Sequence, residues 1–422
     1  MATAGRTARG LQRVPSYMPP RPPVVEEPAP KKERQKKRRP VKYRLFSLGA
    51  GMDMPLFIFI MVLLAIGLVM LFSASYAYSY YTENGNSYVY ILNQARYAVL
   101  GVIAMLVIST FDYHRFHQLA VVIFGISVFF LLLIPLFRAV GLHSLVPNQG
   151  DAYRWLQFGP IGFQPSEIAK FALIVMFAHM ISQNADRMNT FRYGVLPFVL
   201  VLGTLGGLIV IENHLSATLI ILMLGAILMF VGGTRVRWFV IGGAGVAVLL
   251  AIMLLTRENY QIGRILGWLN PFDPPEGVDT WQTRQSLYAI GSGGLLGVGL
   301  GQSRQKYLWL PEPQNDFIFA IVCEELGLVG ALVIIILFAM LIWRGLYVSI
   351  HAKDRFGMFL GLGITFLVGI QAILNICVVT NTIPNTGISL PFFSYGGTAL
   401  LMLLGEMGVL LNISRSSNVE KT

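Results

Sequence analysis

Ten separate runs of roughly 20 apolar residues, the length that carries a helix across the hydrocarbon of a bilayer, constrain this 422-residue chain more than any other feature. They lie near 54–74, 93–110, 118–137, 165–182, 193–211, 214–231, 239–256, 317–343, 356–379 and 394–413. A chain that is 55% hydrophobic and 13% charged has more apolar surface than a water-soluble core can enclose. In lipid every backbone group must be satisfied within the protein, and runs of this length do so as helices. The fold class is therefore an all-α polytopic membrane protein: about ten transmembrane helices with a large extracytoplasmic loop between helices seven and eight.

The formal charge of +11 is concentrated ahead of the first run, where residues 1–53 hold 13 Lys or Arg against four acidic residues. That segment is rich in Pro and poor in core-forming residues, so it reads as a disordered basic tail over 1–50. A membrane domain over 51–413 and a short tail over 414–422 follow. Basic charge before a first span holds it in the cytoplasm. Each loop that then falls inside is also basic: Arg115; Arg187 and Arg192; Arg235 and Arg237; Arg344, Lys353 and Arg355; Arg415 and Lys421. Both termini are expected in the cytoplasm. The basic run serves topology first and anionic membrane lipids second, with no role for nucleic acid. The long polar loops, near 75–92, 138–164, 257–316 and 380–393, fall outside.

The chemistry gathers in those outward loops. The stretch GQSRQKYLWLPEPQNDFIFAIVCEELGLVG passes from a charged, aromatic, Pro-bearing loop into a hydrophobic helix, with Asp316 on the border and Glu324 and Glu325 two turns further in. A carboxylate at the outer surface, with Arg284, Arg304 and Lys306 before it and an apolar interior behind, suits an amphiphile with an anionic head and a greasy tail. In glycosyl transfer from a lipid diphosphate, Asp316 could take the proton of the acceptor hydroxyl while Arg and Lys hold the departing diphosphate. Asn315 and Asp316 would equally serve as a helix N-cap, and the residues alone leave both readings open. Glu324 and Glu325 divide in the same way between a cavity and a neighbouring helix. At the start of the fourth span Pro165 opens the helix, and Glu167 and Lys170 follow at i, i+3 with Arg154 nearby. They form either a local ion pair or a polar anchor for an anion.

Other polar features carry less. His214, in the tight hairpin between the fifth and sixth spans, has no partner at metal-ligand spacing and reads as polar capping. The Tyr-rich SASYAYSYYTENGNSYVY suits an interfacial aromatic belt. The glycines from 291 to 301 match neither GxGxxG nor GK[ST], so nucleotide binding gives way to close backbone packing in a re-entrant segment. Gln371, Asn375, Asn381 and Asn385, like Gly396 and Gly397, read as helix-packing residues, and Cys323 and Cys377 as small hydrophobes.

Three stretches, YRWLQFGPIGFQPSEIAK, QSLYAIGSGGLLGVGLGQSRQKYLWLPEPQNDFIFAIVCEELGLVG and PNTGISLPFFSYGG, together resemble the SEDS family of bacterial shape, elongation, division and sporulation proteins. They occur in the family's order on its ten-span frame, over residues 50–413. GLGQSRQKYLWLPEP is closer to the division and sporulation branch (FtsW, SpoVE) than to the elongation branch (RodA). The resemblance implies a peptidoglycan glycosyltransferase that polymerises lipid II into glycan strands at the outer face of the bacterial cytoplasmic membrane. Its implied partners are a class B penicillin-binding protein and other divisome proteins. The family's essential aspartate falls on Asp316, which is expected to be catalytic. Arg154, Glu167, Lys170, Arg304, Lys306, Ser394 and Tyr395 are expected to bind substrate. No cofactor is certain; a divalent cation could assist at the diphosphate, but no ligand set in the sequence demonstrates one. The chain departs from the family in reading PEPQNDF for the commoner PEAHTDF. It also reads ENHLSATL for a QPDLGT-like sequence, so His214 stands where a carboxylate is often found. The alternative activities are a lipid II flippase or secondary transporter, and a scaffold with no chemistry of its own.

Overall fold

A computed structural model describes residues 51–147, 153–159, 161–245 and 260–417; the basic tail and the last residues from 418 lie outside them. Among the described residues eight helices are long and apolar enough to cross a membrane. They are α1 (Met54–Thr82), α2 (Val89–Ile108), α3 (His114–Val140), α4 (Pro165–Asn184), α5 (Leu196–Ile211, preceded by one turn at Phe191–Gly194), α10 (Ile318–Ile350), α11 (Arg355–Val379) and α12 (Gly397–Ser416). Helix α6 (Leu215–Val231) is apolar but only 17 residues long, and 236–245, α7, is helical too. The expected seventh span at 239–256 begins on α7, and its remainder lies outside the described residues.

Local sequence explains the helix starts. Asp53 caps α1, its carboxylate accepting the Leu56 N–H at 2.9 Å, with Pro55 in the first turn. The same carboxylate takes Arg344 of α10 through Nε at 3.0 Å and Nη2 at 2.7 Å, a bidentate pair at the end assigned to the cytoplasm. Asp354 caps α11 in the same manner, accepting from Gly357. Helix α11 is the most enclosed of the spans and packs against α10, α4, α6 and α12.

The loop between α7 and α10 is structured. It contains α8 (Tyr260–Leu269), joined to the end of α11 by reciprocal bonds between Trp268 and Asn381, and α9 (Trp281–Gly293), which lies on α10. A small hairpin that the sequence reading did not anticipate, β1 (Leu156–Phe158) with β2 (Ile161–Phe163), pairs antiparallel, Gln157 opposite Gly162, just before α4.

The expected close backbone packing of the glycine-rich segment occurs where α10 breaks. Gly327 adopts φ 66° and ψ −170° inside α10, which would orphan the backbone groups on either side. Residues 294–299 fill the gap: Val298 and Gly299 donate to the carbonyls of Glu324 and Glu325, while Leu328 and Val329 donate to Gly294 and Leu295, all at 2.9–3.1 Å. A Cβ on Gly327 would stand 2.3 Å from the Gly297 nitrogen. Gly327→Ala should therefore cost at least about 2 kcal/mol through strain and overpacking and lower the melting temperature in detergent. Gly291→Ala on α9, whose Cβ meets nothing within 4 Å, should not.

Candidate active site

At the end of the helices opposite the Arg344–Asp53 pair lies a cavity of about 1070 Å³. Its wall is drawn from sequence-distant elements. The β1–β2 hairpin and the start of α4 supply Arg154, Gln164, Glu167 and Lys170; the α5–α6 turn supplies His214 and Ser216; the end of the long outer loop supplies Glu312, Gln314 and Asp316. The segment before α12 contributes Gly387, Ser394 and Tyr395, and α12 itself contributes Glu406.

Asp316 is held by its backbone. Asn375 of α11 donates through Nδ2 to the carbonyls of Asp316 at 2.7 Å and Ile388 at 2.6 Å. The Tyr395 N–H donates to the Gln314 carbonyl at 2.8 Å. The cap of α10 is Phe317, with no side-chain bond, so the capping role open to Asn315 and Asp316 is not taken. The Asp316 carboxylate instead looks toward Gly387, where the chain has φ 66° and a Cβ would stand 3.2 Å from Oδ2. Asp316 is only half-buried by area yet ringed by protein, and that burial pushes its carboxyl up to about 6. Its own backbone N–H and Arg154 pull downward, while Glu312 adds to the rise.

The cations divide into two groups. Lys170 pairs with Glu167 at 2.7 Å on the cavity wall, the i, i+3 bridge expected of them. Arg154 donates to the Asn213 carbonyl at 3.0 Å, and its Nε, buried and without a partner, faces no other acceptor among the described residues. Lys306 is elsewhere: it is 2% exposed and locked to Glu325 at 2.9 Å and to Ser73 of α1 at 3.1 Å. Arg304 is exposed, and its backbone N–H donates to Glu324 at 2.9 Å. Neither Arg304 nor Lys306 lines the cavity. The reason is that Glu324 and Glu325, both 1% exposed, face this loop rather than the cavity and use it to satisfy their charge.

Ser394 and Tyr395 do line the cavity. The Ser394 hydroxyl accepts the Leu390 N–H at 2.7 Å, and its carbonyl accepts Gln94 Nε2 at 3.2 Å; the Tyr395 ring stands edge-on to Tyr90 at 4.8 Å. His214 does not cap α6 with its side chain. Its ring meets Gln164 at 3.3 Å on the cavity wall, and burial, with Arg154 and Lys170, pushes it down to about 3. Burial alone pushes the neighbouring Glu212, 2% exposed and with neither carboxyl oxygen partnered among the described residues, up to about 9. The hairpin is therefore uncharged at neutral pH.

Several lining residues escaped sequence reasoning. Tyr78 belongs to the stretch read as an aromatic belt. Tyr90, Asn93 and Tyr97 share one face of α2 at i, i+3, i+7, a legible spacing. Gln371 was read as packing but borders the cavity, and Glu406, a carboxyl inside the last span, is the kind of residue that intramembrane cost singles out. Among the described residues no group of three His, Cys, Asp or Glu is placed to hold a metal ion.

Comparison with known proteins adds three findings. Residues 54–419 match the model of the family described as "Cell cycle protein", which spans FtsW, RodA and SpoVE. The chain is 39% identical over 333 residues to stage V sporulation protein E of Bacillus subtilis, covering 79% of this chain and 88% of that protein. It is 37% identical over 330 residues to a probable peptidoglycan glycosyltransferase FtsW of Geobacter sp. strain M18, covering 78% and 88%. Among solved structures, it resembles a chain from work on a peptidoglycan synthase complex that coordinates polymerization and crosslinking, with TM-score 0.71 at 24% identity over 86% of this chain and 98% of that one. It also resembles RodA of Thermus thermophilus, with TM-score 0.63 at 23% identity over 87% and 98%. These structural likenesses establish the fold.

Lys306 separates a structural role from a substrate role. Lys306→Met leaves Glu325 buried and unpaired, so it should cost about 3–5 kcal/mol and show as aggregation or a lower melting temperature in size-exclusion profiles. Adding Glu325→Leu should recover much of that loss, and Arg304→Gln should leave stability within about 0.5 kcal/mol of the parent.

Proposed function

The chain belongs to the FtsW, RodA and SpoVE family of cell cycle proteins, and on that premise we propose that it is a peptidoglycan glycosyltransferase that polymerises lipid II at the outer face of the cytoplasmic membrane. The observation that carries the reading is Asp316 on the wall of a large polar cavity shared with Arg154 and Lys170. The basic loops occupy the opposite ends of the same helices, which supports cytoplasmic termini and an outward-facing cavity.

In the proposed reaction the acceptor sugar hydroxyl attacks the anomeric carbon of the lipid-linked donor. Its proton passes to Asp316 as the new glycosidic bond forms. The bond from that carbon to the diphosphate oxygen breaks, and the negative charge left on the lipid diphosphate is met by Arg154 and Lys170. Arg304 and Lys306 take no part. A base whose carboxyl titrates near 6 is ionised at neutral pH yet still basic enough to accept a proton. A class B penicillin-binding protein that crosslinks the strands is the proposed partner. A lipid carrier is the second reading, favoured by the depth of Lys170 and Glu406 in the bundle; labelled lipid II crossing a liposome with no polymer formed would select it.

With the penicillin-binding partner and lipid II supplied, Asp316→Asn should lose about 100-fold or more of polymer formation while folding and binding lipid II as the parent does; an undiminished rate would remove Asp316 from catalysis. The parent's rate should climb as pH rises through about 6, since Asp316 must lose its proton to act. Arg154 holds that carboxyl down, so in any residual activity of Arg154→Ala the rising limb should move to higher pH. Glu312 holds it up, so Glu312→Gln should move the limb lower.

A further inference from the structure

The Tyr-rich stretch SASYAYSYYTENGNSYVY divides in two in the folded chain. Tyr76, Tyr80, Tyr81 and Tyr88 are 42–63% exposed, as rings of an interfacial belt are. Tyr78 and Tyr90 turn the other way and line the cavity, joined there by Tyr395 from the segment before α12. On α1 the division follows the helical period, since Tyr76 and Tyr80 share a face and Tyr78, two residues from each, points to the opposite one. The belt explains the first four tyrosines and leaves the other three without a use.

Those three rings stand in train along one wall. Tyr90 meets Tyr78 at a centroid distance of 5.8 Å and Tyr395 at 4.8 Å, edge to face in both cases. Tyr78 lies in the last turns of α1, Tyr90 is the second residue of α2, and Tyr395 precedes α12 by two residues. The wall is therefore at helix ends, not in mid-bundle. It is also next to Asp316: the Tyr395 N–H donates to the Gln314 carbonyl at 2.8 Å, and the Glu312 carboxylate acts electrostatically on both Tyr78 and Asp316. The cations come from another side of the bundle. Arg154 is bonded to Asn213 in the α5–α6 turn, and Lys170 to Glu167 on α4. Helix α4 packs on α3, α11 and α6, whereas α1 and α2 pack on each other, on α10 and on α12.

This arrangement matters for a displacement. The attacking hydroxyl reaches the anomeric carbon from the face opposite the departing oxygen. With the diphosphate on Arg154 and Lys170, the acceptor has to lie across Asp316 from them, where the tyrosines are. The wall matches a sugar in kind as well. A phenol offers an apolar ring face and a polar edge, as a pyranose offers C–H faces rimmed by hydroxyls, and Asn93, Gln314 and Glu312 place hydrogen-bonding groups beside the rings. The wall itself holds no cation, and Glu312 repels an anion, so the diphosphate is not its ligand.

We infer that Tyr78, Tyr90 and Tyr395 form the acceptor subsite: they stack the uncharged sugar rings of the acceptor and present its hydroxyl to Asp316 while the donor's diphosphate occupies the cations. The inference rests on the glycosyl-transfer reading of the cavity and assigns the acceptor a place within it.

Two partial substrates separate the subsites. The full chain in nanodiscs, without its partner so that only this protein can bind glycan, is titrated with a peptide-free tetrasaccharide of the glycan strand that carries neither lipid nor diphosphate, followed by saturation-transfer NMR. A parallel titration uses polyprenyl diphosphate with no sugar. Tyr78→Leu and Tyr90→Leu should each weaken the tetrasaccharide about 3- to 10-fold, the worth of one aromatic contact, and leave polyprenyl diphosphate unchanged, which also reports that the variants are folded. Tyr78→Phe and Tyr90→Phe keep the ring and should bind the tetrasaccharide as the parent does. Arg154→Ala should do the reverse of the Leu variants, weakening polyprenyl diphosphate and sparing the tetrasaccharide. The proposal is overturned by a parent that shows no saturable tetrasaccharide binding, by Leu variants that match the parent or lose both ligands together, or by Arg154→Ala weakening the sugar as much as they do. Failure of the polymerase reading would show separately, as no polymer from lipid II with the parent and its partner, and leaves these affinities where they are.

Discussion

A pair of adjacent carboxylates, Glu324 and Glu325, buried where α10 breaks, is the constraint from which the outer architecture follows. Water cannot reach them, and a charge left unpaired in such a place costs several kcal/mol. The protein meets that cost with a loop: Ser303, the backbone of Arg304 and the ammonium of Lys306 all turn inward onto the two side chains. Ser73 ties the same cluster to α1. The break at Gly327 that bends the helix is closed by the backbone of 294–299. Loop and helix are thereby one body, and Asp316, emerging from that loop, has a defined place.

The cavity obeys the opposite electrostatic logic. Around Glu325 every charge has a partner within hydrogen-bonding distance, Lys306 for Glu325 and the Ser303 hydroxyl and Arg304 backbone N–H for Glu324. Around Asp316 the charges are only partly matched: Arg154 holds a carbonyl but no carboxylate, Lys170 serves Glu167, and Glu406 faces open space. Incomplete pairing inside a membrane protein is the signature of a surface organised for something that arrives from elsewhere.

Much of this was legible residue by residue. The i, i+3 spacing of Glu167 and Lys170 announced a bridge, and Asp316 stood out as an acid on the lip of an apolar helix. Asn375 was visible as a polar residue in lipid, but its grip on the carbonyls of Asp316 and Ile388 was not. Arg304 and Lys306 looked like phosphate ligands because they precede Asp316, yet the loop turns Lys306 inward and leaves Arg304 outside. The β1–β2 hairpin and the tyrosine face of α2 went unread because short strands and interfacial aromatics leave little periodic trace.

Sequence alone determined that the chain crosses a membrane in many apolar helices, because solubility in hydrocarbon is a local, one-dimensional property. Only the tertiary structure decided which charges share a cavity. Lys170 pairs with a glutamate three residues away and Lys306 with one 19 residues away; the first pair faces open space and the second a sealed loop. That difference depends on helix neighbours such as Gln94 and Ser394, 300 residues apart and in direct contact, an adjacency that packing sets and that no local pattern encodes.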